Sequence, residues 1–157
     1  MVFQPGRSPG ENFGMANTPS ELPIVVQKAY EFSLWVVRKV ENFPRSYRFS
    51  VGDRLVHGVL DLLLRLVDAA YSRDKVRVLT EVNGMLHRMR FLLRLSKDLD
   101  LLNVDSYGFA AERVEEIGRM VGGWRLEQQS EEPPRFEPQQ ERTRELQQQS
   151  GFSLRPG

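Results

Sequence analysis

Cysteine is absent from all 157 residues, which excludes both a disulfide framework and a thiolate metal site. Histidine occurs only twice, as His57 and His87. No run of about 18 consecutive apolar residues occurs, so no segment reads as a membrane-spanning helix. The N-terminus lacks the charged-then-apolar order of a secretory signal. Strand-like alternation, internal repeats, a phosphate-cradling glycine loop and a strand-to-helix nucleophile turn are missing as well. The expectation is a soluble, cytoplasmic, single-domain protein with no cofactor and no catalysis. An enzymatic alternative rests on His57 and Asp61, whose i, i+4 spacing supplies two metal ligands but no third. Glu112, Glu115 and Glu116 cluster, yet the Glu-x-x-His pairs of a di-metal bundle do not occur.

Net charge is also small, +1 over the whole chain, but it is unevenly distributed. Residues 22–125 carry 17 Lys and Arg against 13 Asp and Glu, a net of +4. Residues 1–21 are at −1 and residues 126–157 at −2. A moderately basic segment between slightly acidic flanks permits a polyanion partner without demanding one, and a ring of subunits would multiply its field.

What the chain does have is helical periodicity. The longest element predicted is a helix from Arg73 to Lys97. Its seam is Val76, Leu79, Val82, Leu86, Met89 and Leu93, at steps of three and four. Ser72 suits its N-cap, with Asp74 in the first turn. Arg73, Arg77, Gly84, His87 and Arg88 fall on the arc away from the seam, with Arg94 at its edge and Arg90 and Lys97 nearer the seam. Phe91 lies among these arginines. An aromatic ring there calls either for a neighbouring chain or for a flat ligand such as a base.

The remaining elements follow in order. Residues 1–21 are rich in Gly, Pro, Asn and Ser and read as a disordered leader, with Met15 an alternative start. A first helix spans Leu22 to about Asn42, with Val25, Ala29, Phe32, Val36, Val40 and Phe43 on one seam. Val26, Tyr30, Leu34 and Val37 form a second, so burial on more than one side is expected. Trp35 lies near its polar strip, a candidate for cover by another subunit. Pro44 ends this helix, and Arg45 and Arg48 alternate with Tyr47 and Phe49 in the link. A Ser50–Asp53 capping box introduces a second helix to Tyr71, with Leu55, Val59, Leu62, Leu66 and Ala70 inward. Asp105 caps a fourth, Ser106 to Val121, which Gly122-Gly123 terminates. Residues 126–157, dominated by Gln, Glu, Pro and Ser, read as a disordered tail. The fold class is all-α, an up-down-up-down four-helix bundle over residues 22–125.

Four stretches of that bundle are LPIVVQKAYEFSLWVVRKVENFPRSYRFSVGDRL, DAAYSRDKVRVL, HRMRFLLRLSKDLDLL and EEIGRMVGGW. Together they closely resemble the Avd family, the accessory variability determinants of diversity-generating retroelements. The four-helix proteins encoded in intervening sequences of large-subunit ribosomal RNA genes are a related family. They supply the alternative reading, a stand-alone RNA-binding or scaffold protein.

The Avd resemblance implies a homopentameric barrel of four-helix bundles. It also implies a non-catalytic partner of the retroelement's reverse transcriptase that binds template RNA and cDNA during mutagenic retrohoming. Under that resemblance Arg73, Arg77, Arg88, Arg94 and Lys97, followed by Arg45 and Arg48, are the candidate nucleic-acid contacts. Trp35, Phe91 and Arg90 are the candidate subunit or polymerase contacts. The modest +4 of the bundle departs from the strong basicity of that family.

Overall fold

A computed structural model describes residues 22–131; the stretches 1–21 and 132–157 lie outside it. Among the described residues there are four long helices and no strand. Helix α1 spans Ile24–Glu41, α2 Asp53–Tyr71, α3 Lys75–Asp98 and α4 Val104–Glu131. A single turn at Arg45–Tyr47 and a π-helical turn at Arg48–Gly52 lead into α2. Each helix packs on its chain neighbours, and α4 returns against α1, closing an up-down-up-down bundle.

The seams read from periodicity form the core. Phe32, Val36, Leu55, Val59, Leu62, Leu66, Leu79, Val82, Leu86, Met89, Leu93, Val114 and Ile117 are all buried. Burying each such side chain contributes roughly 1.5–3 kcal/mol, so the seams dominate the stability of the fold. Ser33 and Ser96 are the buried polar residues of this core. Each satisfies its hydroxyl on its own helix, Ser33 Oγ donating to the Ala29 carbonyl at 2.7 Å and Ser96 Oγ to that of Leu92 at 2.8 Å. In α2 the inward alanine is Ala69 rather than Ala70.

Helix ends differ from the sequence expectation in four places. Asp74, not Ser72, caps α3, its carboxylate accepting from the Arg77 amide at 3.1 Å, while Ser72 Oγ accepts from the Asp74 amide. Asn103, not Asp105, caps α4 by accepting from the Ser106 amide at 2.8 Å. The Ser50–Asp53 capping box does not form, because Ser50 Oγ donates instead to the Tyr47 carbonyl inside the π turn. Finally, α4 passes through Gly122 and Gly123 to Glu131. Two helical glycines cost about 1 kcal/mol each relative to Ala. Trp124, packed against the core one residue later, offsets that cost.

The α3–α4 link closes as a Schellman motif. The Leu101 amide donates to the Ser96 carbonyl at 2.8 Å and the Asp100 amide to that of Lys97 at 2.9 Å. Asp100 takes the left-handed conformation at φ 58°, the position usually given to glycine.

Two glycines carry opposite consequences. A Cβ on Gly52 would sit 2.7 Å from Val40 Cγ1, whereas one on Gly84 meets nothing within 4 Å. Gly52→Ala is therefore expected to lower stability by about 1–3 kcal/mol through overpacking. Gly84→Ala should raise it by about 0.5–1 kcal/mol through helix propensity. Urea unfolding followed by far-ultraviolet circular dichroism checks both, and equal signs for the two would refute the packing argument.

Candidate nucleic-acid and protein interface

The basic face of α3 divides into two halves. In the N-terminal half, Arg77 Nε lies 3.2 Å from Asp74 and its Nη1 lies 2.8 Å from Glu81. Glu81 also takes Arg65 from α2, with Nε at 2.8 Å and Nη2 in direct contact. The hydrogen bonds from Arg65 hold the Glu81 carboxyl below its ordinary range, and Glu81 in turn raises Arg65. Arg77 is thus committed to neutralising its own helix cap and an inter-helix bridge. Arg73, at the start of this face, is exposed and has no ion-pair partner among the described residues.

In the C-terminal half the cations are less engaged. Arg88 is exposed with no ion-pair partner among the described residues. Arg94 reaches Asp98 only at 3.9 Å. Lys97 lies half-buried with Nζ 5.2 Å from the centre of the Tyr107 ring. Arg45 is exposed on the short turn after Pro44, and Arg48 Nη2 donates to the Phe43 carbonyl at 3.2 Å. The six arginines and one lysine expected to contact nucleic acid are therefore not one continuous track. Arg45 and Arg48 belong to the end of the bundle where α3 finishes, and Arg73 and Arg77 to the opposite end.

Phe91 stands 73 % exposed on the outer arc of α3, and Leu95, one turn later, is also exposed. Beside them an open groove of about 630 Å³ runs between the π turn, the start of α2 and the end of α3. Phe49, Val51, Arg54, His57, Leu92 and Leu95 line it, together with Asp53. Phe49 and Arg54 were not singled out by sequence reasoning. The available signal was the alternation of basic and aromatic residues from Arg45 to Phe49, and the π turn brings Arg54 to the same groove.

Arg90 and Trp35 have partners within the chain. Arg90 donates to His87 Nδ1 at 3.3 Å and lies 3.6 Å from Glu115 of α4. Its guanidinium lies over Gly118, where a Cβ would meet Nη2 at 3.0 Å. The Trp35 ring is held between Phe32, at 6.2 Å, and Phe109 of α4, at 5.0 Å between centroids. Phe109 is itself exposed, and further uncovered apolar surface lies on the outer sides of α1 and α2. Tyr30, Leu34, Leu60 and Leu64 are exposed there, although Tyr30 and Leu34 were expected in a buried second seam. The four-helix core is filled without them.

His57 uses Nδ1–H to donate to the Asp53 carbonyl at 2.7 Å, a helical back-bond rather than a link to Asp61. Among the described residues no group of three or more His, Asp and Glu is arranged to hold a metal ion. None of the described helices is long and apolar enough to cross a membrane.

A family model described as bAvd-like matches residues 23–127, which covers the core of the bundle from α1 into the last turns of α4. No curated protein matches the chain.

The Arg65–Glu81–Arg77 cluster predicts a pH dependence of stability. Because the folded-state pKa of Glu81 is lowered, its contribution is present above the ordinary carboxylate value and is lost as pH falls through the folded value. Urea midpoints measured from pH 6 down to about pH 3, below the ordinary glutamate value, should fall more steeply for the native chain than for Glu81→Gln. Parallel curves would show that the bridge does not couple to folding.

Proposed function

The chain belongs to the bAvd-like family, and from that premise we propose that it is a non-catalytic accessory subunit of a diversity-generating retroelement. In this reading it binds the element's reverse transcriptase and holds template RNA, and the cDNA copied from it, against the polymerase in the cytoplasm. The observation that carries the nucleic-acid part is the set of cations without strong carboxylate partners at one end of the bundle. Arg45, Arg48 and Arg94 lie there beside exposed aromatic rings, with Arg88 farther back along α3. Such a surface suits phosphates together with bases. Arg73 extends it toward the other end, and Lys97 supports it from the flank.

Self-association is the second part of the proposal. Tyr30, Leu34, Leu60 and Leu64 give α1 and α2 an outer apolar face that a monomer leaves wet. A homopentamer that buries this face between subunits would repeat the basic end around a ring. The modest charge of one bundle would then become a strong collective field.

Light scattering should return about five times the chain mass of 18.2 kDa. Leu64→Glu should return the chain to a single copy without loss of helicity. Co-expression with the reverse transcriptase of the same element should yield a complex that carries RNA through size exclusion. Arg88→Glu is expected to reduce RNA affinity and lower the salt slope by about one. Arg77→Gln should change RNA affinity less, because Arg77 already faces two carboxylates. A monomer that ignores polymerase and RNA would overturn the proposal.

A further inference from the structure

We propose that the groove between the π turn and the end of α3 is a base-stacking site that makes the chain select single-stranded nucleic acid over duplex. This rests on the nucleic-acid part of the function proposed above and adds its preferred ligand. Nothing in the basic face alone would distinguish strands from duplexes, since phosphates are common to both.

The π turn is the first support. An α-helix running straight from Arg45 into α2 would carry one residue fewer through this region. The wider turn accommodates the extra residue and leaves Phe49 68 % exposed at the groove mouth. Gly52 suits the turn because a Cβ there would sit 2.7 Å from Val40 Cγ1 and clash. The exposed phenylalanine is thus carried on a helical turn whose Gly52 is buried, not on an irregular loop.

The lining is the second support. Phe49, Leu92 and Leu95 provide flat and apolar surface, and Phe91 stands one helical turn before Leu95. His57 donates from Nδ1 to the Asp53 carbonyl, which fixes the ring where it lines the groove. The volume of about 630 Å³ lies within the range of small-ligand sites.

Charge is the third. Arg54 in the lining and Arg88, one turn before Leu92, have no ion-pair partner among the described residues, and Asp53 is the single carboxylate lining the groove. The complement of such a site is an anion with planar apolar faces. Unstacked nucleotides have both, whereas a duplex hides its base faces within the stack. A docked protein helix would need apolar anchors over two or more turns of the groove. The α3 wall supplies Leu92 and Leu95 only, within one turn.

The test uses the full chain, a labelled unstructured RNA of about 20 nucleotides and the blunt duplex of the same length, in fluorescence anisotropy across a salt series. The native chain should bind the single strand more tightly than the duplex. Phe49→Ala and Phe91→Ala should each weaken single-strand binding about tenfold, as expected for losing one stacking partner. Both should leave the salt slope and duplex affinity unchanged, since neither removes a charge. Phe91→Trp, which keeps a stacking surface, should retain the affinity. Native binding of RNA without strand preference, or alanine variants with unchanged single-strand affinity, would overturn the groove while leaving the accessory reading intact. Variants that bind RNA normally but fail to capture the reverse transcriptase would reassign the groove to protein docking. A native chain that binds neither RNA would overturn the nucleic-acid reading itself.

Discussion

The close approach of Val40 to Gly52 constrains much of this bundle. Between α1 and the chain that returns beside it there is no room for a methyl group. The link from Pro44 must therefore turn sharply and still present Leu55, Val59, Leu62 and Leu66 to the core in register. A π-helical turn accommodates the surplus residue, with Ser50 Oγ donating to the Tyr47 carbonyl inside it. The register of α2, the exposure of Phe49 and the groove beside α3 all follow from that solution. Packing at one buried glycine thus shapes a surface on the outside of the protein.

Electrostatics divides α3 in a similar way. Glu81 draws Arg65 and Arg77 together and Asp74 holds Arg77 from the other side, so this part of the helix is close to internally neutral. Toward the other end, Arg88 and Arg94 have weak or absent partners. A helical face that looks uniformly basic becomes one half engaged by carboxylates and one half with weakly paired cations. Arg90 is engaged within the chain, where it contacts His87 and Glu115 across the α3–α4 contact over Gly118. The apolar outer sides of α1 and α2 lie on another part of the surface, so the proposed assembly and the proposed nucleic-acid contact need not compete for the same residues.

Local periodicity contains the bundle because helix faces repeat every 3.6 residues and the core follows that repeat. Phe32, Leu62, Leu86 and Ile117 are inward in both the pattern and the structure. Helix termini were less legible, since several residues at each end can offer a capping oxygen. Asp74 won over Ser72 and Asn103 over Asp105 through backbone geometry that the sequence does not specify. The glycine pair after Val121 reads as a stop in isolation. Trp124 against the core carries the helix onward because burial outweighs the local penalty.

What the sequence by itself determined is therefore the number and order of the helices, their inward faces and the family to which the chain belongs. These depend on residue spacing and on short ordered motifs. Tertiary structure decided which arginines are bound to carboxylates, that Trp35 packs on Phe109 of its own chain, and that Phe49 and Arg54 meet Leu92 and Leu95 in one groove. Those relations join residues distant along the chain or shifted by a turn of unusual pitch. No local repeat encodes them, because they exist only once the helices have packed.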